Sequence, residues 1–195
     1  QNQVLFISGP AANDGITGAN KYTFRSGRQS WQDVLAAKEI LGKGVGKKVL
    51  VLTQDNAFGQ GNFAAVNAVI GGRGHTVSKL YVPAAATEFT PFAQQVKQQN
   101  PDLLFVAWAG TTGPALWKAL DQQDVLKSIP VTTGLAERAT WQFYPDGITF
   151  LSHYVSVAPD NKVNDWLKAT MRKRNQVPDI FTPDGFAAAQ MIVHA

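Results

Sequence analysis

Gly59-x-Gly61-x-x-Ala64 follows an apolar β-branched run, Val49-Leu50-Val51-Leu52. Two glycines at that spacing are what a backbone needs to approach a pyrophosphate closely. In a dinucleotide fingerprint the first glycine follows the strand almost directly, and an acid stands about 20 residues further on. Here residues 53–58 intervene and residues 79–86 contain no acid. Two other readings stay open: glycines that free a loop at a helix start, or a loop from Asp55 to Gly61 that cradles a small ligand. Gly42-Lys43-Gly44-Val45-Gly46-Lys47 is a phosphate loop by composition only. A phosphate loop needs a glycine where Leu41 stands and a hydroxyl where Lys48 stands, and it follows a strand instead of preceding one.

Other chemistries find little to work with. His75, His153 and His194 are isolated, and no metal-ligand spacing or nearby carboxylate pair accompanies them. The chain has no cysteine, which excludes disulfides, thiolate catalysis and Cys-type zinc sites. There is no Gly-x-Ser-x-Gly elbow. No residue is singled out as catalytic, no metal site is expected and no cofactor is implied.

Four of the five tryptophans are informative. Trp31, Trp117 and Trp166 occupy apolar positions of expected helices and are predicted to be core. Trp108 ends an apolar run and precedes Ala109-Gly110-Thr111-Thr112. A ring at a strand end either lines a ligand pocket or packs under the next helix, and both readings stand.

Strands and helices alternate along the chain. Strands are expected at 4–8, 22–25, 48–53, 75–82, 103–108, 130–133 and 148–152. Ser30 opens a helix with Asp33 as its capping-box partner and Trp31, Val34, Leu35 and Leu41 inward. A helix over 61–71 ends at Gly71-Gly72, Thr90-Pro91 opens the next, and another covers 113–124. This order predicts an α/β fold with a doubly wound parallel sheet, whose strands are apolar throughout because both faces are covered. After Pro159 two helices follow, near 161–175 and 183–195, with no strand between. The lone first strand and the uncapped last helix predict a fragment of a longer protein.

The 195 residues are 45% hydrophobic and 16% charged, with a net charge of +4, which describes a globular chain. The basic residues are scattered apart from Arg172-Lys173-Arg174, and no basic patch interleaved with aromatics points to nucleic acid. No apolar run approaches the roughly 18 residues that span a bilayer. No signal peptide is recognisable, which predicts a cytosolic or already processed chain.

In order along the chain, Ser8-Gly9-Pro10-Ala11-Ala12, Asn20-Lys21-Tyr22-Thr23-Phe24-Arg25, Asp55-x-x-Phe58-Gly59-x-Gly61, Thr90-Pro91-Phe92 and Asn100-Pro101-Asp102 resemble the type I periplasmic binding proteins. The nearest branch is the leucine/isoleucine/valine-binding type that serves ABC importers. The resemblance covers nearly the whole chain and rests on the order and spacing of these motifs. It implies a two-lobed clamp with hinge crossings: residues 1–25 end the first lobe and cross over, 26–152 form the second α/β lobe, and 153–195 return to the first.

For function, the resemblance implies an extracytoplasmic solute-binding protein of an ABC importer that closes by a hinge on its ligand. The ligand would be an amino acid or an aromatic or other organic acid, and the partner a membrane permease. The location would be periplasmic or extracellular, including a cell-surface lipoprotein. In the first lobe the ligand loop maps onto Ser8, Pro10, Ala11, Ala12 and Asn13. In the second lobe Phe58 would pack on the ligand, with Trp108, Ala109 and Gly110 and the loop holding Leu135 and Glu137 supplying further contacts.

The sequence departs from the amino-acid binders at two points. Leu135 stands where they place an acid for the ligand's ammonium, with Glu137 two positions late, and Ala12 replaces a hydroxyl. A buried ammonium without a counter-charge costs several kcal/mol. Together with the rings of Phe58 and Trp108, this favours a flatter, more apolar ligand. Two other readings remain: a ligand-sensing domain of a receptor or regulator with the same fold, and a Rossmann-like enzyme.

Overall fold

The computed structural model describes residues 3–134 and 136–195. They form two compact units, one of residues 1–29 with 152–195 and the other of residues 30–151.

In the second unit, β3 (Lys48–Gln54) is apolar and buried from Val49 to Leu52 because it is covered on both faces. Val49 and Val51 point to one core with Val34, Ala37, Ala65 and Val66; Leu50 and Leu52 point to another with Ala93, Val96, Leu116 and Trp117. The period of two along a strand divides the cores in this way. The first core holds α1 (Ser30–Ala37) and α2 (Ala57–Val69) against the sheet, and the second holds α3 (Thr90–Gln99) and α4 (Gly113–Gln122). Each fully buried Val or Leu contributes about 1.5–3 kcal/mol. Adding β4 (Thr76–Val82), β5 (Leu103–Ala107), β6 (Val131–Thr133) and β7 (Thr149–Phe150), the strand order is β4-β3-β5-β6-β7, and every pairing is parallel. The sheet is therefore doubly wound, and the chain reverses its winding between β3 and β5. A short helix, α5 (Val125–Ser128), leads into β6.

Three details correct the sequence reading. Helix α2 begins at Ala57, not near 61. Asn56 caps it by accepting the Gly59 N–H at 3.0 Å, so Phe58, Gly59 and Gly61 lie in its first turns and not in a loop. Trp31 and Leu35 are not core, being 47% and 43% exposed. The inward stripe of α1 and the turn after it is Ser30, Val34, Ala37 and Leu41, spaced four, three and four apart, and Trp31 and Leu35 each fall one position beyond it. Trp166 is 55% exposed, because Asn164 and Leu167 take the inner face of its helix.

The first unit pairs β1 (Phe6–Ser8) with β2 (Thr23–Arg25) in parallel and adds α6 (Lys162–Arg172) and α7 (Thr182–Val193). Asn161 caps α6 by accepting the Asn164 N–H at 2.9 Å. Among the described residues no helix is long and apolar enough to cross a membrane.

Candidate functional site

The carboxyl ends of parallel strands are where an open α/β sheet leaves room for a ligand. In the second unit a cavity of about 350 Å³ lies past the ends of β5 and β6. It is lined by the aromatic residues Trp108, Trp117, Phe143 and Tyr144, by Gly110 and Gly113, and by Thr111, Thr133 and Thr140. Trp108 is half-buried and meets Phe89 edge to face, 5.5 Å between centroids at 88°. Its indole N–H donates to Thr112 Oγ1 at 3.1 Å, so its one polar group is satisfied within the chain. Tyr144 packs on Trp117 at 5.3 Å and on Phe150 at 4.8 Å. Burial pushes the Tyr144 phenol up, against a hydrogen bond with Thr140 that lowers it.

Two hydroxyls of this cavity bond to backbone carbonyls. Thr133 Oγ1 donates to the Val106 carbonyl at 2.9 Å, and Thr140 Oγ1 donates to the Glu137 carbonyl at 2.7 Å. A hydroxyl that has committed its one hydrogen can only accept from a ligand. Among the described residues no charged side chain lines the cavity. The lining therefore suits an uncharged ring.

Two side chains at the end of β3 tie it to β5 where the winding reverses. Thr53 Oγ1 donates to the Ala107 carbonyl at 2.8 Å, and Gln54 Oε1 accepts the Ala109 N–H at 3.2 Å. The first turn of α2 packs directly on this corner: a Cβ on Gly59 would fall 1.9 Å from the Gln54 carbonyl oxygen. Close helix–strand packing, and not a phosphate, accounts for that glycine, while Gly61 faces open space. Phe58 is half-buried against the core of α1 and α2 and does not line the cavity.

In the first unit, Ser8 is buried and leads into the 10–13 loop. Arg25 Nη1 donates to the Ala11 carbonyl at 2.5 Å and to the Arg28 carbonyl at 2.8 Å, its Nη2 donates to the Asn13 carbonyl, and its Nε donates to Thr17 Oγ1 at 2.8 Å. Arg28 Nη1 donates to the Pro10 carbonyl. Asn13 Oδ1 accepts the Gly15 N–H at 2.9 Å, so its side chain holds the next turn. Ala11 is exposed and Ala12 buried. Behind the loop, Ser26 Oγ donates to the Asp184 carbonyl at 2.9 Å, and a Cβ on Gly27 would fall 2.0 Å from the Gly9 oxygen. The Asp184 carboxylate is buried, with Oδ1 3.5 Å from His153 Nε2 and Oδ2 without a hydrogen-bond partner. Burial pushes its pKa up, and His153 and Arg28 pull it down.

Of the sequence-predicted residues, Trp108 and Gly110 share the cavity, and Ala109 meets Gln54. Ser8, Ala11, Ala12 and Asn13 follow one another on the first unit's loop. Glu137 is exposed and outside the cavity lining; only its backbone takes part, as acceptor for Thr140. Leu135 lies outside the described residues. Thr140, Phe143 and Tyr144 were not singled out, because residues 138–143 form a 3-10 helix with no periodic signature and Tyr144 follows it directly, whereas Thr133 opens the loop in which the resemblance placed polar contacts. Arg25 and Arg28 were missed as well; an arginine ending a short strand was the available signal. Among the described residues no group of three or more metal-ligating side chains gathers.

The family model of the periplasmic binding proteins matches residues 1–195. No curated protein matches the chain. Among solved structures, an ABC-type branched-chain amino acid transporter from Rhodopseudomonas palustris CGA009 is 33% identical with a TM-score of 0.73, over 95% of this chain and 52% of that one. A solute binding protein of an ABC transporter from R. palustris, in complex with 4-hydroxybenzoate, is 23% identical with a TM-score of 0.80, over 97% and 54%. A leucine binding protein from Thermotoga maritima MSB8 is 16% identical with a TM-score of 0.79, over 96% and 56%. The last two show likeness of fold alone. The chain spans about half the length of these structures. With a match along its whole length, the chain belongs to the periplasmic binding protein family.

Proposed function

We propose that this chain is part of an extracytoplasmic solute-binding protein that delivers a small, partly apolar organic acid, aromatic in preference to leucine, to the permease of an ABC importer. It would work in the periplasm or at the cell surface, by hinge closure and without a cofactor. The observation that carries the ligand class is the cavity past β5 and β6, lined by four aromatic residues and, among the described residues, by no charged side chain.

The 33% identical structure is that of an ABC-type branched-chain amino acid transporter, and structures of this fold include both a leucine binding protein and a hydroxybenzoate complex. The fold therefore accommodates both classes, and this chain's residues must choose. An α-amino acid brings an ammonium, and Glu137, the nearby acid of that loop, stands exposed outside the cavity lining. A charge of either sign left buried without a partner costs several kcal/mol, so this cavity suits the ring of a ligand and not its charged end, and it is the ring that favours an aromatic solute over leucine. A dinucleotide enzyme is disfavoured because the Gly59 N–H that a phosphate would seek already donates to Asn56.

A thermal-shift panel on the full-length protein tests this reading with L-leucine, L-valine, benzoate and 4-hydroxybenzoate. Stabilisation by the aromatic acids above the amino acids is expected. Stabilisation by leucine that disappears in Glu137→Gln would replace the aromatic acid with an amino acid.

A further inference from the structure

We propose that Trp141 is the positioning residue of the cavity past β5 and β6: it holds the turn of residues 138–144 in place, and thereby makes the cavity choose a flat ring over a puckered one of the same size. This rests on the solute-binding reading above.

The lining of the cavity comes from two kinds of backbone. Trp108, Gly110, Gly113 and Trp117 belong to the corner where β5 passes into α4, and Thr133 ends β6. A strand, a helix and the core beneath them fix this part; Trp117 is buried and Trp108 is held by Thr112. Thr140, Phe143 and Tyr144 come instead from a 3-10 helix, Arg138–Phe143, and the residue after it. The bonds within that turn are local. Thr140 N–H donates to the Glu137 carbonyl at 2.9 Å, Tyr144 N–H to the Trp141 carbonyl at 3.1 Å, and Gln142 Nε2 to the Ala139 carbonyl at 3.2 Å. Bonds between residues three apart shape a turn but do not fix where it lies.

Two side chains fasten the turn to its surroundings. Tyr144 rests on Trp117 and Phe150. The Trp141 indole N–H donates to the Ala136 carbonyl at 3.0 Å. Ala136 is buried and follows the end of β6, so this bond ties the turn to the chain leaving the sheet. The Trp141 ring is half exposed and carries the Arg138 guanidinium over its face, 5.3 Å from the centroid. What Trp141 contributes inward is therefore its N–H and not the burial of its ring. Trp141 is not among the residues that line the cavity, so it acts through Thr140, Phe143 and Tyr144.

Position matters more for a flat ring than for a puckered one. Burial of apolar surface is non-directional, and an aliphatic ring gains it wherever the lining meets it. An aromatic ring gains further from offset-stacked or edge-to-face contact, which depends on the distance and angle between ring planes. Phe143 and Tyr144 offer that contact only while the turn stays where Trp141 holds it.

The test uses the full-length protein, with benzoate as the flat probe, cyclohexanecarboxylate as the puckered one, and calorimetry as the readout. The two share a carboxylate and a ring size. The native protein is expected to favour benzoate. Trp141→Phe keeps a ring for Arg138 and loses the N–H. It is expected to lower that preference about fivefold through weaker benzoate binding, the scale of one aromatic pair, with cyclohexanecarboxylate affinity nearly unchanged. Amide exchange at Thr140 and Tyr144 should quicken in the ligand-free variant while β5 stays protected. Should Trp141→Phe not fold, Trp141→Tyr is expected to give the same loss, because its hydroxyl stands at the far end of the ring and not where Nε1 sits.

Equal weakening of both acids, or an intact preference, would reduce Trp141 to a merely structural residue and overturn the inference. A native protein that binds the two acids alike would also overturn it, while leaving the solute-binding reading in place. Binding of leucine and of neither ring acid would remove the aromatic reading and this inference with it.

Discussion

Trp108 donates its indole N–H to Thr112 Oγ1 at 3.1 Å, across the turn that leads from β5 into α4. The bond fixes which face of the indole is presented to the cavity and leaves the ring with no free donor. Thr112→Val is expected to cost about 1 kcal/mol of stability, the value of one half-buried hydrogen bond. It should also weaken binding of an aromatic acid by releasing the ring, whereas Thr112→Ser should restore both. Urea denaturation and calorimetry check this, and a silent Thr112→Val would detach the hydroxyl from the orientation of Trp108.

Gly59 and Gly61 should respond oppositely to a methyl group. A Cβ at Gly59 would sit 1.9 Å from the Gln54 oxygen and 2.6 Å from Thr53 Oγ1, whereas Gly61 has nothing within 4 Å. Gly59→Ala is expected to destabilise by about 3 kcal/mol, through displacement of α2 from the end of β3. Gly61→Ala is expected to stabilise by about 0.5–1 kcal/mol, through lower chain entropy in the unfolded state. Paired denaturation curves decide, and equal effects would contradict the packing.

Asn164 is buried and fully engaged. Its Nδ2 donates to the carbonyls of Ser156 at 3.0 Å and Pro159 at 2.8 Å, and its Oδ1 accepts from Tyr154 Oη at 2.7 Å. Asn164→Leu orphans all three partners and is expected to cost about 3 kcal/mol, while Tyr154→Phe costs about 1 kcal/mol. The double variant should cost less than the sum, since the two share one bond. Strict additivity in a double-mutant cycle would break the proposed link.

Asp184 should make stability depend on pH. Burial raises its folded pKa above the ordinary 3.8, despite His153 and Arg28. The folded state therefore binds this proton more readily than the unfolded state. The resulting stabilisation is fully present below the unfolded pKa and is lost as pH rises through the folded one. Asp184→Asn is neutral at every pH and should be the more stable protein near neutrality, with the difference closing in acid. Denaturation series across that range check it; a native protein that outlasts the variant at neutral pH would reverse the sign.

The parts of this fold that were legible in the sequence are those whose surroundings are uniform. β3 and β5 read as buried parallel strands because both faces demand apolar residues, and Val49–Leu52 and Leu103–Ala107 comply. Trp31, Leu35 and Trp166 misled because periodicity marks an apolar position but does not say which of two adjacent stripes meets the core. The start of α2 was placed late because the glycines drew attention from Asn56, whose capping depends on a single side-chain oxygen. In the cavity, Trp108 was legible as a ring at a strand end. Thr140 and Tyr144 were not, since they belong to or directly follow a 3-10 helix with no periodic signature.

The hydrogen bond from Ser26 to the Asp184 carbonyl joins residues 158 apart in sequence, whereas the unit of residues 30–151 is one unbroken stretch. During synthesis from the amino terminus, β3 to β7 can assemble while α7 has yet to be made. The strands β1 and β2 emerge ahead of that unit but wait longer for the helix that backs them, because non-local closure must precede the contacts that reward it. Truncation before Thr182 should therefore spare the contiguous unit and leave the 10–13 loop without its support, a vulnerability set by chain connectivity and not by the strength of any one contact.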